Sequence, residues 1–265
     1  MPMLTDTHCH LDIEHFDADR AEVIARAWET GVERILIPAL DVDSCRRVLA
    51  LAETDPRLFA AIGVHPNSAK TWDDTTLDTL RTLAAHPKVV AIGEIGLDYY
   101  WDFAPKELQH PVLHAQLALA AELHLPVIIH NRAATEDVLK ILVDWQTGLT
   151  AAGHPLAERP GVLHSYSGDA DAAQKALAAH FLLGVTGPVT FKNAPALQAL
   201  VTALPLEKLL IETDAPYLTP HPHRGKRNEP AHVKWVAEKI AALKGVSFEE
   251  VIQQTGQNAA RLFRW

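Results

Sequence analysis

A chain of 265 residues with 48% hydrophobic and 22% charged residues can bury a large core, and it falls in the size range where one α/β barrel is as ordinary as two smaller domains. Its formal charge of -9 excludes broad, sequence-blind coating of DNA or RNA, which depends on neutralising many phosphates, but leaves room for an enzyme that holds one strand end. The first four residues show no leader-like run, and no apolar stretch approaches the ~20 residues a membrane span needs. A soluble, cytoplasmic protein is therefore expected, with no membrane association and no evident obligate protein partner.

Short runs rich in Val, Ile and Leu alternate along the chain with longer Ala-, Leu- and Glu-containing stretches of helical period. Eight of them read as strands: LTDTHCH from residue 4, RILIPAL from 34, LFAAIGV from 58, VVAIGEIG from 89, PVIIH from 126, GVLHSYS from 161, FLLGVTG from 181 and LLIETDA from 209. Successive starts lie 20 to 37 residues apart, which suits strand, loop, helix and loop, and the runs are apolar on both faces as parallel barrel strands are. An open doubly wound sheet usually has fewer strands and would here lack a GxGxxG turn after the first. The expected fold is α/β, a (β/α)8 TIM barrel forming one domain over residues 1–265. Its tail, from about residue 228, supplies the last helix in NEPAHVKWVAEKIAAL and an extra one in SFEEVIQQTGQNAARLF. Asn228 and Ser247 are the expected N-caps, with Glu250 completing a capping box. No interdomain linker is visible; AAGHPLAERPG, residues 151–161, is the longest Gly/Pro-rich loop.

The polar residues fall at one polarity of these strands. His8 and His10 end the first, His65 follows the third, Glu94 lies at the end of the fourth, His130 ends the fifth, His164 lies on the sixth and Asp214 ends the eighth. The C-terminal rim of a barrel is where catalytic groups gather, because its loops converge on one mouth. Two histidines at i and i+2 on a strand share a face, a geometry suited to one metal ion. Cys9 between them faces the other way and is a packing residue, and Cys9 with Cys45 gives no disulfide framework. Four imidazoles and two carboxylates exceed one tetrahedral site and can hold two divalent ions if a carboxylate bridges them.

Each residue has a plainer reading as well. His8 and His10 can be a satisfied buried pair, His130 and His164 core histidines bonded to carbonyls, and Asp214 a structural cap. Glu94 after an apolar strand needs an ion or a salt bridge to compensate its desolvation. His65 divides between substrate contact and turn residue, and Arg132 between clamping an anionic oxygen and capping a helix or pairing with Glu136. His154, in the long loop, stands outside the set. PHPHRGKRNEP, residues 220–230, gathers basic groups beyond Asp214; it is either a solvated loop or a phosphate contact through His223, Arg224 and Lys226.

These segments resemble the TatD family of metal-dependent hydrolases, among the amidohydrolase-like barrels, over essentially the whole chain. The family's opening signature is DTHCHLD, its glutamate segment GEIGLDYY, its next histidine segment IIHNR and its terminal acid segment ETDAPYL, followed by HRGKRNEP. Where the family usually has Cys and Phe after the sixth-strand histidine, this chain has Ser165 and Tyr166, which bears on packing beside His164 and not on ligation. The resemblance implies His8, His10, Glu94, His130, His164 and Asp214 as metal ligands. It further implies His65, Arg132 and the basic loop as substrate contacts, and a deoxyribonuclease, in some members acting from the 3' end of single strands.

The mechanism expected is hydrolysis by a metal-activated water. One ion is held by His8, His10, Glu94 and Asp214, and a second shares Glu94 and adds His130 and His164, with Glu94 and Asp214 as catalytic groups. Imidazoles in this number suit Zn or Mn, and Mg dependence rests on the resemblance. The substrate expected is a nucleic acid end or similar phosphodiester. A metal-dependent amidohydrolase or esterase is the alternative, although the bridging lysine common there has no counterpart on a strand. A non-catalytic metal scaffold fits less well, because structural sites close with four ligands.

Overall fold

The computed structural model describes residues 3–265. All eight expected strands form: β1 Leu4–Asp6, β2 Val32–Pro38, β3 Leu58–Ile62, β4 Val89–Asp98, β5 Val127–Arg132, β6 Gly161–Leu163, β7 Leu182–Val185 and β8 Leu209–Ile211. They lie in one sheet in sequence order, every pair parallel. The helices between them are α1 Arg20–Glu29, α2 Val42–Ala52, α3 Thr76–Ala84, α4 Lys106–Leu123, α5 Thr135–Ala151, α6 Ala170–Ala178 and α7 Pro195–Ala203. After β8 come α8 Val233–Lys244 and α9 Phe248–Phe263. This is the (β/α)8 barrel with one extra helix.

Two strands stop earlier than their apolar runs, because the chain leaves the ladder at the flared rim. β1 ends at Asp6, and β8 at Ile211, three residues short of Asp214. His164 likewise lies one residue past β6. The seam between first and last strands is instead stitched beyond their ends. Thr7 N–H donates to the Ile211 carbonyl (3.2 Å), Asp214 N–H to the His8 carbonyl (2.9 Å) and His10 N–H to the Ala215 carbonyl (2.8 Å). Cys9 bridges Ala215 in parallel and is fully buried, so His8 and His10 keep the extended geometry while Cys9 packs into the core.

The core divides by strand alternation. Ile35, Ile37, Ile62, Ile129 and Leu183 pack outward under the helices, while Leu36, Ala61, Ile128, Val162 and Leu210 form an inner cluster with Ala259, Leu262 and Phe263 of α9. The extra helix thus seals the barrel at the end opposite the polar rim. Capping follows short side chains: Asp41 forms a full capping box with Ser44 on α2, and Asp169 accepts from Ala172 N–H on α6. On α9, Ser247 Oγ accepts from Glu250 N–H at 3.0 Å, one half of the expected box.

The expected cap at Asn228 is corrected. The regular helix starts at Val233 after a 3-10 turn over Pro230–His232, and Asn228 is buried instead. Its Nδ2 donates to the carbonyls of Thr213 (2.9 Å) and Tyr217 (2.7 Å), tying the basic loop to the β8 rim. Pro230 forces the chain into the turn before the helix can begin. No helix among the described residues is long and apolar enough to cross a membrane.

Candidate metal centre

Glu94 stands at the middle of the rim. Its Oε2 lies 3.3 Å from His8 Nε2 and 3.7 Å from His10 Nε2. Its Oε1 faces the other way, 2.8 Å from His130 Nδ1, 3.6 Å from His164 Nε2 and 3.8 Å from His65 Nε2. Each oxygen of one buried carboxylate therefore addresses a different set of imidazoles. Asp214 Oδ1 joins the first side, 3.5 Å from His10 Nε2 and 3.8 Å from His8 Nε2. Asp214 takes a left-handed backbone (φ 56°), uncommon for a residue with a side chain, and its N–H bond to His8 fixes the turn that brings its carboxylate back over the seam.

The six rim residues are brought together, and His65 with them. Three groups place one ligand atom per residue within 4.8 Å of each other: His8, His10 and Glu94; His8, His164 and Asp214; and His65, Glu94 and His130. His164 thus stands nearer the His8 side than the sequence grouping with His130 implies, its ring stacked on His8 at 3.6 Å between centroids and 6.4 Å from His130. His65 is a turn residue, its Nδ1 accepting from Asn67 N–H after β3, and its Nε2 points into the cluster.

The donor set suits a cation. The Nε2 atoms of His8 and His10 face each other at 3.2 Å, and the Nδ1 atoms of both rings are buried without a partner. Two facing imidazoles and an adjacent carboxylate form a convergence of lone pairs that an ion satisfies, whereas leaving such groups unmatched costs roughly 1–3 kcal/mol each. The electrostatics divide the rings: burial opposes the charge on His10, His130 and His164, but the neighbouring carboxylates outweigh it and raise all three, His164 to about 10. Burial, with His164 alongside, pushes His8 below the usual imidazole range, and burial beside His130 lowers His65 to about 3. Burial opposes the charge on Glu94 and Asp214. The surrounding histidines outweigh it and hold both carboxyls below their ordinary values.

Three further carboxylates support the rim, and sequence reasoning did not single them out. Asp98 Oδ2 lies 2.9 Å from His130 Nε2. Glu212 Oε2 lies 3.3 Å from His164 Nδ1 and accepts from Ser165 N–H at 2.9 Å. Asp6 accepts from the N–H groups of Thr213 (2.9 Å) and His8 (3.3 Å), joining the two seam turns. Glu212 fits only because residue 184 is glycine: a Cβ there would meet its Oε2 at 2.2 Å. Each acid stands two or four residues from a rim residue, the spacing that shares a strand face, and this was the available signal.

The outlying residues separate. Arg132 lies over the Tyr100 ring at 4.0 Å and the Trp101 ring at 5.4 Å, and forms no ion pair with Glu136 among the described residues. Arg224 is exposed and stacked on Phe191 at 4.0 Å, and Lys226 is exposed. His223 is half-buried, its ring stacked on His232 at 4.3 Å and near Trp235 at 5.9 Å between centroids. His154 lies apart, donating to the Ala121 carbonyl. Ser165 Oγ bonds Thr186 Oγ1 at 2.8 Å, and Tyr166 O–H donates to the Asp169 carbonyl.

Comparison with known proteins agrees with this geometry. The family model described as TatD related DNase matches residues 5–264. The chain is 48% identical over 262 residues to the uncharacterized metal-dependent hydrolase YabD of Bacillus subtilis, covering 99% of each. It is 38% identical over 264 residues to the 3'-5' ssDNA/RNA exonuclease TatD of Erwinia tasmaniensis, covering 97% of this chain and 98% of the relative. Among solved structures, the TatD homologue YjjV of Escherichia coli superposes with a TM-score of 0.90 at 33% identity, covering 99% and 98% of the two chains. With profile, sequence and structure matched from one end of the barrel to the other, the chain belongs to the TatD-related DNase family.

Proposed function

We propose that this protein hydrolyses phosphodiester bonds of nucleic acid, with DNA as the main substrate and the 3' end of a single strand as the point of attack. The observation that carries the reading is the divided carboxylate of Glu94, with His8, His10 and Asp214 on one side, His130 and His65 on the other, and His164 stacked on His8 while it reaches the second oxygen. Family relatives named as 3'-5' exonucleases supply the substrate class.

In this reading the two sides would take two divalent ions, Mg, Mn or Zn. His8, His10, Glu94 and Asp214 would hold one, and Glu94, His130 and His164 would hold the other, with His65 beside it. When bound, such ions polarise a phosphoryl oxygen and bring the pKa of a bound water toward neutrality. The chain's own contribution is positional. Asp214, kept ionised by its histidine neighbours, accepts the proton of the attacking water, and Glu94 fixes the separation of the two sides. Arg132, Arg224 and Lys226 offset phosphate charge at the mouth, and the apolar inner cluster with α9 keeps water from the far side.

The test is cleavage of labelled single-stranded and duplex oligonucleotides beside small phosphodiesters, esters and amides, with Mg, Mn or Zn added. Shortening from the 3' end of single strands is expected. Turnover of an ester or amide with no phosphodiester cleaved in any metal would assign the centre to small-molecule hydrolysis.

A further inference from the structure

Among the described residues only five large apolar side chains are strongly exposed, and their placement is not random. Tyr100 (60%), Trp101 (44%) and Phe103 (57%) follow directly from the end of β4, Leu108 (42%) lies in the first turn of α4, and Tyr217 (50%) stands beside His10 beyond β8. Scattered single exposures are ordinary, whereas a contiguous aromatic patch at a functional mouth points to a ligand. Trp101 meets Tyr100 edge-on at 4.9 Å and Phe103 at 5.7 Å between ring centroids.

The patch is anchored to the metal centre through one side chain. Asp98 Oδ1 accepts from the N–H groups of Tyr100 (2.9 Å) and Trp101 (3.1 Å), while its Oδ2 contacts His130. Gln109 of α4 holds the same turn from behind, donating to the carbonyls of Asp98 (2.9 Å) and Ala104 (2.8 Å). The aromatic rings are thus exposed on a fixed turn whose base touches the reacting site. Arg132, two residues past His130, covers one face of Tyr100 with its guanidinium at 4.0 Å.

Resting on the phosphodiesterase reading above, we infer that Tyr100, Trp101 and Phe103 form a stacking platform for unpaired bases of a single-stranded nucleic acid, next to the nucleotide whose phosphate is cut. Charge and shape select this occupant. Exposed rings set at an angle to one another beside a lone guanidinium offer bases stacking faces and the following phosphate a cation, and stacking tolerates every base. A duplex keeps its bases inside and has nothing to give such a surface. The platform therefore accounts for a single-strand preference in a protein whose net charge of -9 disfavours binding by phosphates alone.

The experiment compares binding of a phosphorothioate-linked oligothymidylate, which resists turnover, with an abasic oligomer of the same backbone and length, using fluorescence anisotropy on ion-loaded protein. The parent should prefer the base-bearing strand by roughly 5- to 150-fold for each stacked base. Y100A/W101A should lose that preference and Y100F/W101F should restore it, the ring being what matters. Equal affinity of the parent for both strands, no binding of either, or a preference intact in Y100A/W101A would overturn the platform. So would concentration-dependent self-association of the parent that the alanine variant abolishes, which would give the patch to a second copy. Cleavage of an unmodified strand by the parent is read separately: base-dependent binding without cleavage counts against the phosphodiesterase reading alone, and cleavage with base-blind binding against the platform alone.

Discussion

Asp98 holds His130 from the side opposite Glu94, its Oδ2 2.9 Å from Nε2 while Glu94 Oε1 stands 2.8 Å from Nδ1. A carboxylate on one imidazole nitrogen fixes the ring's tautomer and raises the basicity of the other. Asp98→Asn keeps the shape and removes the charge. The expected result is ion affinity lower by roughly 10–100-fold, measured by calorimetric titration with Mn or Zn, with the thermal unfolding of the ion-free protein little changed. Unaltered affinity would show that His130 is oriented by packing alone.

Glu94→Gln should abolish ion binding on both sides at once, because both oxygens of the carboxylate are engaged with histidines. His154→Ala removes two hydrogen bonds, to the Ala121 carbonyl and from Leu156 N–H, and should cost about 1–3 kcal/mol of stability while leaving ion content intact. Elemental analysis and oligonucleotide turnover of the two folded variants form the comparison. Equal losses would mean that the centre does not depend on Glu94.

The basic loop carries a salt-dependence prediction. Arg224 and Lys226 are exposed, so each can meet a phosphate without a buried cost. For single strands the slope of log K against log salt is roughly 0.7 per neutralised phosphate, and R224A/K226A should flatten it by one to two phosphates' worth without changing ion content. An oligonucleotide titration across a salt series decides it. A slope unchanged by the double substitution would return the loop to solvent.

His232 gives a pH dependence away from the metal centre. Burial, with His223 stacked on it, lowers its pKa to about 4. The ordinary imidazole titrates near 6.5. Between these values the unfolded chain takes up a proton that the native ring refuses, so this group subtracts stability as pH falls from about 6.5 to about 4. His232→Gln should make the decline across that window shallower, by about 2 kcal/mol at most, because solvent reaching the half-buried ring screens part of the effect. Parallel urea-denaturation curves for parent and variant would show that the native ring titrates normally.

The strands were legible because parallel barrel strands are apolar on both faces and stand out as runs, and the rim was legible because its histidines and acids end those runs. Asp98, Glu212 and Asp6 were harder. Their spacing places them on the correct face, but period alone does not say whether a carboxylate reaches a ring nitrogen or stays free. That depends on close approaches such as the one Gly184 permits beside Glu212. Asn228 was misplaced for a related reason. An Asn before a helical stretch reads as its cap, while its actual position is set by the carbonyls of Thr213 and Tyr217, groups distant in local pattern.

The seam between β1 and β8 also orders events in time. His8 and His10 leave the ribosome some two hundred residues before their backbone partners Asp214 and Ala215, and Asp6 waits as long for Thr213. A nascent chain with seven strands made therefore carries five of the six rim residues, lacks Asp214 and has no closed mouth. Synthesis at about 5–20 residues per second makes that interval roughly ten seconds or more, during which the seam stays open. A centre built across the closure point is complete only when the barrel is.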